Sequence, residues 1–149
     1  MSLIPRFGAY AAAFEKAYAA DEWSLVEPFF TEDAVYDAGL PELLGGRMEG
    51  RAAVLGYFRD VLDRFDRRFA SRRVELLEGP RESGDSVWIK GRAIYTAEGA
   101  PELAFDLEET AHFEGDRIRL LVDSYRPEEA ERLAAYVEAH GARIGLGLR

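Results

Sequence analysis

The stretch Trp23-Ser24-Leu25-Val26-Glu27-Pro28-Phe29-Phe30-Thr31-Glu32-Asp33-Ala34-Val35-Tyr36-Asp37 decides the fold. Asp21 stands before it as an N-cap, so 22–28 reads as a short helix. Residues 34–38 alternate as a short strand. A loop follows at 39–46, with Pro41 and the pair Gly45-Gly46. Gly50-Arg51-Ala52-Ala53-Val54 then opens a helix that carries Tyr57 and Phe58. Short helix, strand, loop and new helix in that order form the entrance to a small pocket-forming α+β domain.

Upstream, Phe7, Tyr10, Phe14 and Tyr18 recur at three- and four-residue steps over 6–20, which is one apolar stripe on a helix. Downstream, Val54, Phe58, Val61, Leu62, Phe65 and Phe69 make the buried stripe of a helix over 51–69, with Tyr57 beside it. The period then changes to two, and 73–79, 86–96, 102–113 and 117–125 read as strands. Gly79-Pro80 through Gly84-Asp85, residues 98–101 and Gly115-Asp116 are the turns. Turns this short join antiparallel neighbours, so the four strands form a meander. Pro127 suits the first turn of a last helix, with Ala130, Leu133, Ala134 and Val137 on its apolar side and Gly141 as its C-cap. One domain over 1–141 is expected, with a mobile tail at 142–149. Helices first and a meander after place the helices on one face of a curved sheet.

Composition narrows the function classes. The chain has 149 residues, enough for one domain with one sizeable core, and 48% of them are hydrophobic. Its formal net charge is -9, which disfavours nucleic acid as a partner. The one basic cluster, Arg67-Arg68 with Arg72-Arg73, reads as a solvated helix end. There is no cysteine, so disulfides, thiolate chemistry and cysteine zinc sites are excluded. His112 and His140 are the only histidines, which excludes a multi-histidine metal site. His112 reads as surface or interface and His140 as a helix-end cation. The glycine pairs lack a phosphate-loop pattern, and no cofactor is expected. No apolar run suits a signal peptide or a membrane span, so a soluble cytoplasmic protein is the expectation.

Three segments carry a family resemblance: 29–36, Gly50-Arg51-Ala52-Ala53-Val54, and His112-Phe113-Glu114-Gly115-Asp116-Arg117-Ile118. Over about 10–136 the chain resembles the nuclear transport factor 2-like superfamily, the SnoaL-like or ketosteroid isomerase-like cone fold. The resemblance implies a cone-shaped, mostly antiparallel curved sheet wrapped around the N-terminal helices, with a C-terminal helix and a hydrophobic cavity at the open end. It also implies a homodimer through the outer sheet face, which suits Trp88, Ile94, Leu120 and Val122. The superfamily holds isomerases, cyclases, epoxide hydrolases and non-enzymes, so fold alone does not assign function.

Compared with ketosteroid isomerases, Phe14 and Ala38 replace the tyrosine and the base, and Glu109 matches the remaining donor. Compared with limonene epoxide hydrolase, Asp123 matches one aspartate, while Gly91 and Ala93 stand at the other two places and would widen a cavity. Compared with SnoaL-like cyclases, Asp123 matches the acidic general acid/base.

The residues themselves leave the orientation of Asp123 open. Phe105, Leu107, Glu109, Ala111 and Phe113 share one core-facing row, and Glu109 breaks its apolar character. On the next strand, polarity turns Ile118, Leu120 and Val122 inward, whereas the resemblance turns Leu121, Asp123 and Tyr125 inward. A three-residue turn around Gly115 would put Asp123 inside, diagonal to Glu109; a two-residue turn would put it outside. If both face in, burial and repulsion raise at least one carboxyl pKa and create an acid/base pair. Otherwise Glu109 pairs with an arginine or meets solvent.

Tyr36, Phe14, Tyr18, Tyr57, Phe58 and Tyr125 are the expected ligand-binding wall, with Tyr36 or Tyr125 as hydrogen-bond donor. Leu40, Leu43, Leu44 and Met48 would form a lip. Three readings follow: a cofactor-independent enzyme acting on a small apolar molecule, a non-catalytic pocket for such a molecule, or an interaction domain. Inward carboxylates favour the first, and a pocket filled by Phe14, Tyr57 and Phe58 favours the last.

Overall fold

The computed structural model describes residues 2–40 and 46–146. Helix α1 runs Ile4–Ala20 and buries Phe7, Tyr10 and Ala17. It stops where Asp21 enters the left-handed region at φ 53° and returns its N–H to the Ala17 carbonyl. Asp21 is therefore a C-cap rather than an N-cap, and its carboxylate accepts the Trp23 indole N–H at 3.1 Å. The expected second helix is two single-turn 3-10 helices, Trp23–Leu25 and Glu27–Phe29. Pro28 offers no N–H, and the chain behind it extends at once.

The chain then forms β1 (Phe30–Asp37), β2 (Arg47–Glu49) and α2 (Arg51–Arg64). Four further strands follow: β3 (Ser71–Ser83), β4 (Ser86–Ala97), β5 (Ala100–Glu114) and β6 (Arg117–Ser124). They make one six-stranded sheet in the order β2-β1-β6-β5-β4-β3, antiparallel except for β1 beside β6. The architecture is α+β, and register shifts in every ladder from β1–β6 to β3–β4 bend the sheet around α1 and α2.

Helix α2 ends earlier than its apolar period suggests. Phe65 leaves helical geometry, a single 3-10 turn at Asp66–Arg68 follows, and Phe65 and Phe69 pack into a second apolar cluster. Gly79-Pro80 lies inside β3, at the shift between Glu78 and Arg81, so the β3–β4 turn is Gly84-Asp85 alone. Gly79 is needed there: at φ 93° a Cβ would stand 2.8 Å from the Trp88 carbonyl oxygen.

The last helix, α3 (Pro127–Ile144), passes straight through Gly141 and caps on Gly145, which takes φ 74°. Residues 142–144 thus belong to the helix rather than to a tail. Glu129 ties α3 to the sheet by accepting the Asp106 backbone N–H at 2.7 Å and Arg132 at 2.8 Å. Of the expected lip, Leu40 is buried against Phe65 and Phe105, Met48 packs on the main core, and Leu43 and Leu44 lie outside the described residues, as do Pro41 and Gly45.

Two aromatic-rich clusters make up the core. In the larger one, Phe14, Trp23, Phe30, Tyr36 and Phe58 meet in edge and tilted contacts of 5.3–6.1 Å between ring centroids. Removing one such buried ring costs about 3–5 kcal/mol.

Candidate functional site

A cavity of about 250 Å³ lies between the helices and the concave face of the sheet. Phe14, Tyr36, Tyr57, Phe58 and Tyr125 line it, as do Glu109 and Asp123. Gly91 and Ala93 also form its wall, so the small residues of β4 do widen the space. Tyr18 is the exception among the expected wall residues. It lies outside the cavity, with the Arg72 guanidinium 4.5 Å above its ring.

Asp123 faces inward, by a route neither sequence reading described. Glu114 pairs with Arg117 across a two-residue Gly115-Asp116 turn, and Phe113 pairs with Ile118. The register then slips, because His112 pairs with Leu120 and Arg119 is left as an extra residue. A one-residue bulge exchanges the two faces of a strand. Ile118 is therefore buried before the bulge, and Leu121 and Asp123 are buried beyond it. The polarity pattern and the family pattern each hold on one side of Arg119. Asp123 stands directly opposite Glu109 rather than diagonal to it.

The second anchor of Asp123 comes from β1. Tyr36 donates its hydroxyl hydrogen to Asp123 Oδ2 in a short hydrogen bond. The other oxygen, Oδ1, is buried with no partner of good hydrogen-bond geometry. Backbone packing holds the strand as well: Gly39 sits at φ 71° against the Asp123 carbonyl, and a Cβ there would collide with that oxygen. Only glycine combines this backbone conformation with so close an approach.

Burial sets the charge states. It pushes the Glu109 carboxyl well above the usual carboxylate range; the Asp123 charge and a hydrogen bond to Asp123 push it further, against a weaker pull from Arg72. Glu109 is half-buried as a residue and lines the cavity. Asp123 is also raised by burial, but hydrogen bonds from Glu109 and Tyr36 oppose the rise. Both carboxyls are pushed up, so the pair favours sharing one proton, and the hydrogen bond donated by Tyr36 favours the charge on Asp123. Among the described residues Glu109 makes no ion pair. The phenols of Tyr10, Tyr36 and Tyr125 are pushed well above their usual value, chiefly by burial, with the charge on Asp123 adding to it. All three stay neutral donors.

With Tyr36 committed to Asp123, the phenols of Tyr10, Tyr57 and Tyr125 on the cavity wall are left for a ligand. His112 lies on the opposite face of β5, across from Ser86 and Leu120. His140 stacks on Tyr136 within α3 at 5.0 Å. The arginine reading needs correction: Arg72 belongs to β3, its side chain is 11% exposed, and it faces the cavity beside Asp66 and Glu15. The sequence signal for this was the alternation Arg72, Val74, Leu76, visible once β3 begins at Ser71 rather than after Arg72. Tyr10 also lines the cavity, where the sequence marked it only as part of a helical stripe.

The profile of the SnoaL-like domain matches residues 10–121. The chain belongs to the SnoaL-like family. Comparison with curated proteins finds no match. Among solved structures, this SnoaL-like domain is similar to an NTF2-like protein of unknown function from Burkholderia pseudomallei K96243, with 18% identity, 92% of this chain and 98% of that chain covered, and a TM-score of 0.69. It is similar also to TerC co-crystallised with polyporic acid, at 14% identity, with 90% and 98% covered and a TM-score of 0.68. An LEH-like epoxide hydrolase from M. tuberculosis follows at 18% identity, with 90% and 93% covered and a TM-score of 0.59. Likenesses at these identities are likenesses of fold. No helix among the described residues is long and apolar enough to cross a membrane.

Proposed function

We propose that this SnoaL-like domain is a cofactor-independent general acid/base enzyme, of the isomerase, cyclase or hydratase type, acting on a small apolar molecule. The supporting observation is the pair itself: Asp123, held by Tyr36, stands directly opposite Glu109 in one cavity. A desolvated carboxylate is a strong proton acceptor. Asp123 takes a proton from a carbon activated by a neighbouring carbonyl. Glu109 or Tyr125 supplies a hydrogen bond to the oxygen on which charge develops. Tyr36 positions Asp123 and limits its basicity.

Size fits a modest substrate. An apolar cavity of about 150 Å³ takes a benzene-sized ligand, so about 250 Å³ suits one or two rings. We propose further that the protein is a cytoplasmic homodimer, joined through the outer sheet face where Trp88, Thr110 and Val122 lie in one cross-strand row.

The test is proton exchange. Incubation with small ketones and cyclic enones in deuterated water, followed by NMR, is expected to show protein-dependent deuterium uptake at the carbon next to the carbonyl. Asp123→Asn should abolish it. Ligands that bind and raise the melting temperature without exchange would replace the enzyme reading with that of a binding protein.

A further inference from the structure

The cavity has a second polar end that acid/base chemistry at Asp123 leaves unused. Arg72 enters it from β3, paired with Tyr95 on β4. Its NH1 and NH2 donate to Glu15 Oε1 and Oε2 of α1 at 3.0 and 3.5 Å, and its Nε lies 3.5 Å from Asp66 Oδ2 in the 3-10 turn. The guanidinium covers the Tyr18 ring at 4.5 Å. Arg72 and Asp66 side chains are 11% and 13% exposed, and both line the same cavity as Asp123. Arg72 is the one cation on its described wall.

Taking a guanidinium out of water is costly, and the two carboxylates offset that cost. They do not exhaust it. A guanidinium has more N–H donors than these three contacts use, and 3.5 Å, to Glu15 Oε2 and to Asp66, is long beside the roughly 2.7–2.9 Å of a strong charge-assisted bond. Tyr10 lines the same cavity, and its phenol feels Glu109, Asp123 and Glu15 together. A molecule in the cavity therefore meets the Glu109–Asp123 pair and, elsewhere on the wall, a guanidinium with N–H donors to spare.

We infer that Arg72, held by Asp66 and Glu15, anchors an anionic oxygen of the ligand, whose apolar body reaches toward Asp123. The ligand class is a small aromatic or alicyclic acid, bound by its carboxylate or an equivalent acidic oxygen. This rests on the reading of the cavity as a ligand site. Asp66 gives the anchor a pH dependence. Burial, against the pull of Arg72, raises its carboxyl to about 6. The groups facing Asp66 are Glu15 and Tyr18 on α1, Arg67 in its own turn, Arg72 on β3 and Tyr95 on β4. As pH falls through about 6, Asp66 takes a proton and stops competing for Arg72. An anionic ligand then binds more tightly, with proton uptake.

Calorimetric titration of the whole chain with 2-naphthoate and its neutral isostere 2-naphthamide tests this, at pH values on both sides of 6. The expected result is that Arg72→Gln weakens naphthoate by about 10-fold or more, the value of one charge-assisted hydrogen bond, and naphthamide far less. Asp66→Asn should strengthen naphthoate above pH 6 and remove the pH step, independently of how well the arginine variant folds. Equal responses of both ligands to Arg72→Gln, or an unchanged pH profile in Asp66→Asn, would overturn the anchor. Naphthamide binding without naphthoate binding overturns the anchor alone. Binding of neither overturns the ligand-site reading and the anchor with it.

Discussion

Glu109 and Asp123 face each other directly across the β5–β6 ladder, and the extra residue Arg119 in β6 is what brings them together. Without that bulge the two-residue turn would send Asp123 to the outer face. The acid/base pair is thus a product of strand register, and its protonation pattern is a product of burial.

The first consequence is for stability. The folded pKa of Glu109 lies above its unfolded value of about 4.3. The folded state therefore holds the proton more firmly. The stabilisation is complete below the unfolded value and is lost as pH rises toward the folded one. Glu109→Gln keeps the shape and removes the titration. Its melting temperature should exceed that of the parent protein at alkaline pH and converge with it in acid; the alkaline difference in stability is roughly 1–3 kcal/mol, the cost of a poorly compensated buried polar group. Thermal unfolding across pH measures it.

Tyr36→Phe removes the hydrogen bond that favours ionised Asp123. The Asp123 pKa should rise, because burial then acts with less opposition. In deuterium exchange, the acid limb of the pH profile should move to higher pH while the fold persists. An unmoved acid limb would show that Tyr36 does not set the basicity of Asp123.

Gly39→Ala combines a left-handed backbone with a collision against the Asp123 carbonyl. The conformational part alone costs about 1–2 kcal/mol, and urea unfolding should show a larger loss than that. Exchange activity should fall too, since β6 must move to make room.

Gly91→Leu tests the cavity as a space. The Cβ position has ordinary to tight neighbours, the nearest being the Glu75 carbonyl oxygen at 3.4 Å, so a side chain can be placed there. Leucine would occupy ligand volume. Ligand-induced thermal shifts should disappear while the unliganded protein melts within a few degrees of the parent.

The sequence displayed the architecture well, because aromatic stripes on helices and alternation on long strands are strong local signals. Phe14, Tyr36, Tyr57, Phe58, Glu109 and Asp123 do meet in one cavity. What stayed hidden was non-local. The Arg119 bulge has no turn residue to mark it: Arg117, Ile118, Arg119 and Leu120 alternate, and the run Leu120-Leu121-Val122 fits either face. The end of α2 at Arg64 was masked by Phe65 and Phe69, which continue its apolar period while packing elsewhere. That hid Asp66, and the late start assigned to β3 hid Arg72. An arginine beside three others reads as solvated until the strand that turns it inward is known.

The central claim is that Glu109 and Asp123 share one proton, with the charge favoured on Asp123. Carbon-13 NMR titration of the side-chain carboxyls tests it most directly. Glu109 is expected to titrate well above the ordinary carboxylate range and above Asp123, and Asp123→Asn should lower the Glu109 pKa. Two carboxyls that both ionise in the ordinary range of about 4, each indifferent to loss of the other, would contradict the account.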